Sequence, residues 1–257
     1  MSAWRLIESG PCPGAEQMAL DEALHFCCER GDAPTLRLFA FEPRALTLGR
    51  FQAARRDIDP AACEGHSVEV VRRPTGGRAV LHTADLCYAV IAPTDDPEIG
   101  GSINDSYCRL SEALTRALAT VGAPAECLAA PAGPDYGAPA ACFALTAAHE
   151  PQLGASKLVG SAQVRSQTAF LQQGSVRLAA DSDLEAKLLG LSISMPALSD
   201  LLGRAISYKE MAAAMRDAFR ECFAIALEPA EPTARERELA DRLAREKYTD
   251  AAWTWQR

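Results

Sequence analysis

What this 257-residue sequence lacks narrows its chemistry first. No stretch approaches the roughly 20 consecutive apolar residues that cross a bilayer, and Met1, Ser2, Ala3, Trp4 and Arg5 open no apolar signal core. A cytoplasmic location without membrane contact is therefore expected. Lys and Arg number 26 against 34 Asp and Glu, for a formal net charge of -8. That deficit argues against a phosphate-tracking face, so nucleic acid is not an expected partner. The nine cysteines, at 12, 27, 28, 63, 87, 108, 127, 142 and 222, are odd in number and form no CxxC pair. Neither a disulfide framework nor a zinc site is expected from them. His25, His66 and His149 have no spacing for a metal, and none is expected. No repeat, low-complexity tract or Gly/Ser-rich linker divides the chain.

What is present is ordinary for a globular protein, 48% hydrophobic and 23% charged, in a length that suits a single domain. Spacings of three and four predict helices over 15–26, 103–121, 181–189, 208–225 and 233–247. In the first, Ala15, Met18, Ala19, Ala23 and Phe26 share a side. The second stops at Gly122 and is capped by Ser102 or Asn104. Alternating or β-branched apolar runs predict strands over 35–41, 45–48, 68–71, 86–91, 157–164 and 169–178. Residues 123–139, rich in Pro, Gly and Ala, read as a loop. Strands and helices are interspersed without a βαβ rhythm, so the expected fold class is α/β or α+β, with mixed sheets flanked by helices.

Two stretches carry candidate chemistry. In Arg72, Arg73, Pro74, Thr75, Gly76, Gly77, Arg78, Ala79, Val80, Leu81 and His82, paired glycines let backbone approach a ligand, and guanidiniums beside them suit an anion or amide cradle. The same residues also suit a tight hairpin with solvated arginines. In the second stretch, Cys142 ends the loop and Lys157 opens a strand fifteen residues later. A cation near a thiol favours the thiolate, which is the nucleophile. A buried, inert core thiol is the alternative for Cys142.

Together these stretches resemble the lipoate and biotin protein ligase superfamily, and within it the cysteine-type octanoyl-[acyl-carrier-protein]:protein N-octanoyltransferases. The resemblance begins at Met18, Ala19, Leu20, Asp21, Glu22, Ala23 and Leu24. It continues through Pro34 to Arg37, Leu48, Gly49, Arg50, Phe51 and Gln52, then Val71 to His82, Cys142 and Phe143, Lys157 to Gln163, Leu171 to Ser175 and, more weakly, Glu246 to Trp255. It implies a catalytic domain over 1–230 with a helical tail, 231–257, on the same domain. Cys142 is implied to carry the acyl group, and Lys157 to lower the thiol pKa. Arg72, Arg73, Gly76, Gly77, Arg78 and His82 are implied to line the acyl and carbonyl site, with Gly160, Ser161 and Ala162 along the acyl chain. No cofactor is required. The implied partners are octanoyl acyl carrier protein as donor and lipoyl domains as acceptors, such as the glycine-cleavage H protein and 2-oxoacid dehydrogenase acyltransferase subunits.

Four positions depart from that pattern. Ala144 replaces a usual acidic residue, Gln173 a common histidine, Arg78 the third glycine of the ligases, and Thr83 an acidic residue that often follows the histidine. Arg78 favours transferase over ATP-dependent lipoate ligase, which remains the alternative together with a non-catalytic lipoyl-domain-binding subunit. His82 is either a general base for the incoming amine or an orienter of the Gly-rich turn.

Overall fold

Alternating apolar residues make the strands that organise the molecule. The structure, a computed structural model, describes residues 2–127, 151–154, 156–190 and 196–256. It opens with β1 (Ala3–Cys12) and α1 (Gly14–Cys28), then β2 (Thr35–Phe41), β3 (Ala45–Leu48), α2 (Ala54–Asp57), α3 (Pro60–Gly65), β4 (Glu69–Arg72), β5 (Val80–His82) and β6 (Asp85–Pro93). The long α4 (Ile103–Thr120) leads to the short β7 (Glu126–Cys127), β8 (Pro151–Leu153) and β9 (Ser156–Lys157), and then to β10 (Val159–Arg165) and β11 (Ala169–Arg177). After these come α5 (Ser182–Leu189), α6 (Leu198–Leu202), α7 (Tyr208–Phe223), β12 (Ala226–Pro229), α8 (Ala234–Leu243) and α9 (Ala251–Thr254).

The main sheet has the order β10-β11-β6-β2-β1-β12, and two small sheets have the orders β4-β3-β5 and β7-β8-β9. In the main sheet β1 runs parallel to both β2 and β12, whereas β2, β6, β11 and β10 pair antiparallel. The expected mixed-sheet fold is therefore what forms. Period-2 alternation sorts β6 between two cores. Leu86, Tyr88 and Val90 join Leu110 and Leu114 of α4 and Met211 and Met215 of α7. Cys87, Ala89 and Ile91 face Ala15, Met18, Ala19 and Ala23 of α1. A third core, with Leu46, Leu48 and Leu81, is closed by Leu184 and Leu188 of α5.

Local chemistry accounts for several boundaries. Of the two candidate caps for α4, Ser102 is the one used: its Oγ accepts from Asp105 N at 3.2 Å and Asp105 Oδ2 accepts from Ser102 N at 2.9 Å, a capping box. The N-terminus of α1 has no local side-chain cap; the Glu69 carboxylate, 55 residues away, accepts from Gly14 N at 2.7 Å. Gly14 is required at that approach, since a Cβ there would lie 2.9 Å from Val71 Cγ1.

Three expectations change. Phe26 is 38% exposed beneath the Arg30 guanidinium, and Cys27 takes the inward position. The strand predicted over 157–164 divides at Leu158: Lys157 pairs with Gln152 in a small sheet, while Val159 onward joins the main one. Within the loop predicted over 123–139, Glu126–Cys127 pairs as a strand, and the remainder from 128 lies outside the described residues.

Candidate active site

The amino-terminal half of α1, both long antiparallel strands and the β3-β5 sheet converge on a cavity with an empty volume of about 410 Å³, part of it open to solvent. Met18, Phe39, Phe41, Val80 and Cys87 give it apolar walls, and Gly160, Ser161 and Ala162 form one side. Polar groups enter at Thr47, Arg73, His82, Gln173 and Ser175. The three β10 residues named by the resemblance thus line a cavity, together with His82 and Arg73.

The two adjacent arginines separate in role. Arg73 donates to Thr47 O at 3.1 Å, to Gly76 O at 2.6 Å and to Arg78 O at 2.8 Å, so it lines the cavity while clamping the Gly-rich turn. Arg72, fully buried, points away from the cavity. Its guanidinium donates to the carbonyls of Gly49, Arg50 and Gln52 and to those of Trp253, Thr254 and Gln256. It therefore ties the loop after β3 to the C-terminal tail. Gly76, Gly77 and Arg78 sit in the turn between β4 and β5, outside the cavity lining. Gly77 has φ +87°, and its carbonyl lies so close to Gly49 that a Cβ on Gly49 would be 1.9 Å from that oxygen.

Two buried polar networks hold the cavity walls. In the first, Thr75 Oγ1 donates to Gln173 Oε1 at 2.8 Å, and Gln173 Nε2 donates to Asp21 Oδ2 at 2.6 Å. Arg37 completes it, with Nη1 2.5 Å from Asp21 Oδ1 and Nη2 on Gln17 Oε1. Gln173, where the related pattern often has histidine, is thus a strut between the Gly-rich turn and α1.

The second network centres on Asp85. Its Oδ2 lies 2.5 Å from His82 Nδ1, accepts from Ser175 Oγ, and lies 3.4 Å from Cys87 Sγ. Burial alone raises the Asp85 carboxyl, but the adjacent imidazole and these hydrogen bonds override it and hold the group below its ordinary value. An ionised carboxylate can only accept, so Nδ1 carries a proton toward Asp85, and Nε2 lies 3.0 Å from Thr47 Oγ1. Thr47 Oγ1 in turn accepts from Arg73 Nη1 at 3.2 Å. His82, Asp85 and Cys87 are close enough together to suit a metal among the described residues, yet each pair is already within hydrogen-bond reach. We read the group as a hydrogen-bond network.

Sequence reasoning missed Asp85, Thr47 and the bridging use of Gln173. It sought the carboxylate beside His82, where Thr83 stands; the structure supplies it three residues on, at the start of β6. The acidic residue opening that strand was the available signal. Thr47 had none, because only the β3-β5 pairing that places Thr47 opposite Val80 brings it near His82.

Lys157 is 6% exposed on β9, two residues before the strand that lines the cavity. Cys142 lies outside the described residues. The eight described cysteines are all free. Burial pushes each of their thiols upward, to about 12 for Cys28 and well above the ordinary value for Cys87, where the Asp85 charge adds to it. None of them is held as a thiolate at neutral pH.

The chain is similar to known proteins over nearly all its length. The family model described as Lipoyl protein ligase A/B catalytic domain matches residues 13–220. Octanoyltransferase LipM of Exiguobacterium sp. is 37% identical over 275 residues, covering 100% of this chain and 99% of the relative. Octanoyltransferase LipM of Kyrpidia tusciae is 35% identical over 285 residues, covering 100% of both. The crystal structure of a lipoate-protein ligase A bound with ATP superposes with a TM-score of 0.86 at 26% identity, over 99% of each chain.

Proposed function

The chain belongs to the lipoyl protein ligase A/B catalytic domain family, and from that premise we propose that it moves an octanoyl group onto a lipoyl-domain lysine by way of a thioester on Cys142. It is an octanoyltransferase of lipoate biosynthesis. The observation that carries the mechanism is the apolar cavity of about 410 Å³ along Gly160, Ser161 and Ala162, entered by a strand whose preceding residues include the buried Lys157. A buried methylene contributes about 0.8 kcal/mol, so the six methylenes of an octanoyl tail would gain roughly 5 kcal/mol gross between Met18, Phe39, Phe41 and Val80.

The donor is octanoyl acyl carrier protein. Cys142, as thiolate, attacks the donor thioester carbonyl, the C–S bond to the phosphopantetheine arm breaks, and that thiol leaves. Lys157 supplies the cation that draws the Cys142 thiol toward thiolate. The opposite shift at every described thiol supports giving this role to Cys142. The acceptor lysine, on a glycine-cleavage H protein or a 2-oxoacid dehydrogenase acyltransferase subunit, then attacks the acyl-enzyme and forms an amide. Thioester exchange is nearly balanced and amide formation runs downhill, so the cycle needs no ATP. Arg72 supports the site from behind, while Arg73 shapes the turn that carries Gly76, Gly77 and Arg78.

Intact mass spectrometry of the protein mixed with octanoyl acyl carrier protein, without ATP, tests this. An octanoyl adduct on the wild type that is absent from Cys142→Ser is expected. An adduct that survives Cys142→Ser, or one that appears only with ATP, overturns the reading.

A further inference from the structure

Zinc sites are usually read from paired cysteines or histidines, a pattern that passes over a set with one ligand of each kind. His82, Asp85 and Cys87 are such a set. His82 ends β5, Asp85 opens β6, and Cys87 follows two residues on, facing the same side of the strand. One imidazole nitrogen, one carboxylate oxygen and one sulfur lie within 4.8 Å of one another. Cys87 Sγ is 3.4 Å from both His82 Nδ1 and Asp85 Oδ2. Tetrahedral zinc, with bonds of about 2.3 Å to sulfur and about 2.0–2.2 Å to nitrogen or oxygen, holds its ligand atoms roughly 3.3–3.6 Å apart. Both sulfur separations already suit that ion, and the closer His82–Asp85 pair, at 2.5 Å, has to open by about 0.8 Å.

Two further observations favour a cation here. Thr47 Oγ1 stands 3.0 Å from His82 Nε2 and Ser175 Oγ donates to Asp85 Oδ2, so the imidazole and the carboxylate each have an outer partner that fixes their orientation, as metal ligands do. His82, Cys87 and Ser175 line the apolar cavity, while Asp85 and Ser175 line a second, small polar one. The cluster thus has a cavity on either side, from which an ion, and a water as fourth ligand, can enter.

We propose that His82 Nδ1, Asp85 Oδ2 and Cys87 Sγ form a binding site for one thiophilic divalent cation of the zinc class. The hydrogen-bond network described above is the metal-free form of that site. On binding, Cys87 gives its thiol proton to solvent, and Nδ1 gives up its proton while Nε2 becomes the donor nitrogen toward Thr47 Oγ1; no electron is transferred. Thiolate and carboxylate together cancel the two charges of the cation, so the buried site stays neutral. The site stands independently of the octanoyl-transfer reading, and its occupation would set an ion at the wall of the apolar cavity.

Cobalt(II) added to the reduced protein tests this, because sulfur bound to cobalt gives an ultraviolet charge-transfer band and a tetrahedral site gives strong visible bands. One equivalent should bind with both signatures, zinc should displace it, and Cys87→Ser should abolish the sulfur band. Thr47→Val, which removes only the outer partner of His82, should weaken cobalt binding about 10–100-fold. X-ray absorption of the zinc-loaded wild type needs no variant to fold, and it should show one sulfur at about 2.3 Å with nitrogen or oxygen at about 2.0–2.2 Å. A sulfur band that survives Cys87→Ser, an unchanged affinity in Thr47→Val, two or more sulfurs around zinc, or a wild-type protein that binds neither ion through sulfur overturns the proposal.

Discussion

Gly49 and Gly77 meet back to back, and neither can be exchanged for a residue with a side chain. A Cβ on Gly49 would lie 1.9 Å from Gly77 O and 2.7 Å from Gly77 C, both backbone atoms with no rotamer to yield. Gly77 is held at φ +87°, a region costly for residues other than glycine. Gly49→Ala is expected to destabilise the fold by about 3 kcal/mol, at the upper end of overpacking. It should also displace the turn that Arg73 clamps, so that octanoyl uptake falls with stability. Urea denaturation and the mass of the acyl adduct measure the two effects. Gly76 and Gly77 stood out in the sequence, whereas their partner at 49 was legible only as part of a resemblance. Gln173 was legible as a departure but not as a strut, because Thr75 and Asp21 lie 98 and 152 residues away. A long-range hydrogen bond leaves no periodic trace.

Elements were legible where their pattern was local. Helices α4, α5 and α7 and strands β2, β3 and β11 fall within a residue or two of the predicted spans, because the helices bury one regular face and carry caps of their own, while the strands are short apolar runs buried on both faces. Strand β1 was not predicted. Its register shifts between Glu8 and Gly10, and this irregularity breaks the alternation by which a strand is read. Helix α8 shows a local cap joined to a distant partner. Thr233 and Glu236 form a capping box, and the Glu236 carboxylate, almost wholly buried, also takes Arg5 Nη1 at 2.6 Å. Burial raises the Glu236 carboxyl, but the Arg5 and Thr233 hydrogen bonds outweigh it and hold the group below its ordinary value. A carboxylate depressed in the folded state stabilises the fold above its unfolded pKa of about 4.3, and that stability is lost as pH falls through the lower folded value. Glu236→Gln should therefore cost about 2–3 kcal/mol at pH 7. Urea midpoints of variant and wild type should converge as the pH is lowered below about 4, and a gap that stays constant would sink this account.

Across the whole molecule, Arg72 joins segments that are far apart in sequence. One guanidinium holds carbonyls from Gly49 to Gln52 and from Trp253 to Gln256, and Trp253 Nε1 returns a hydrogen bond to Arg72 O at 2.9 Å. Lysine has the charge but not the fork, so Arg72→Lys leaves several buried carbonyls without donors. A loss of about 3 kcal/mol is expected, with earlier proteolysis at the C-terminal tail than elsewhere. Limited digestion followed by mass spectrometry reads the site of first cleavage. Among the described residues no helix is long and apolar enough to cross a membrane.

The sequence by itself determined the class of fold and most of the strands and helices, which follow from side-chain periodicity, caps and glycine turns acting over a few residues; that Gly160, Ser161 and Ala162 line the cavity was legible only through the family resemblance. Only the tertiary structure decided which polar groups serve which purpose: that Arg72 turns to the tail and Arg73 to the cavity, and that Asp85 rather than residue 83 orients His82. It also placed Thr47 at the far end of that chain of hydrogen bonds. Adjacent residues on a strand face opposite sides, and partners meet through sheet pairing rather than along the chain, so these roles were not present in local order.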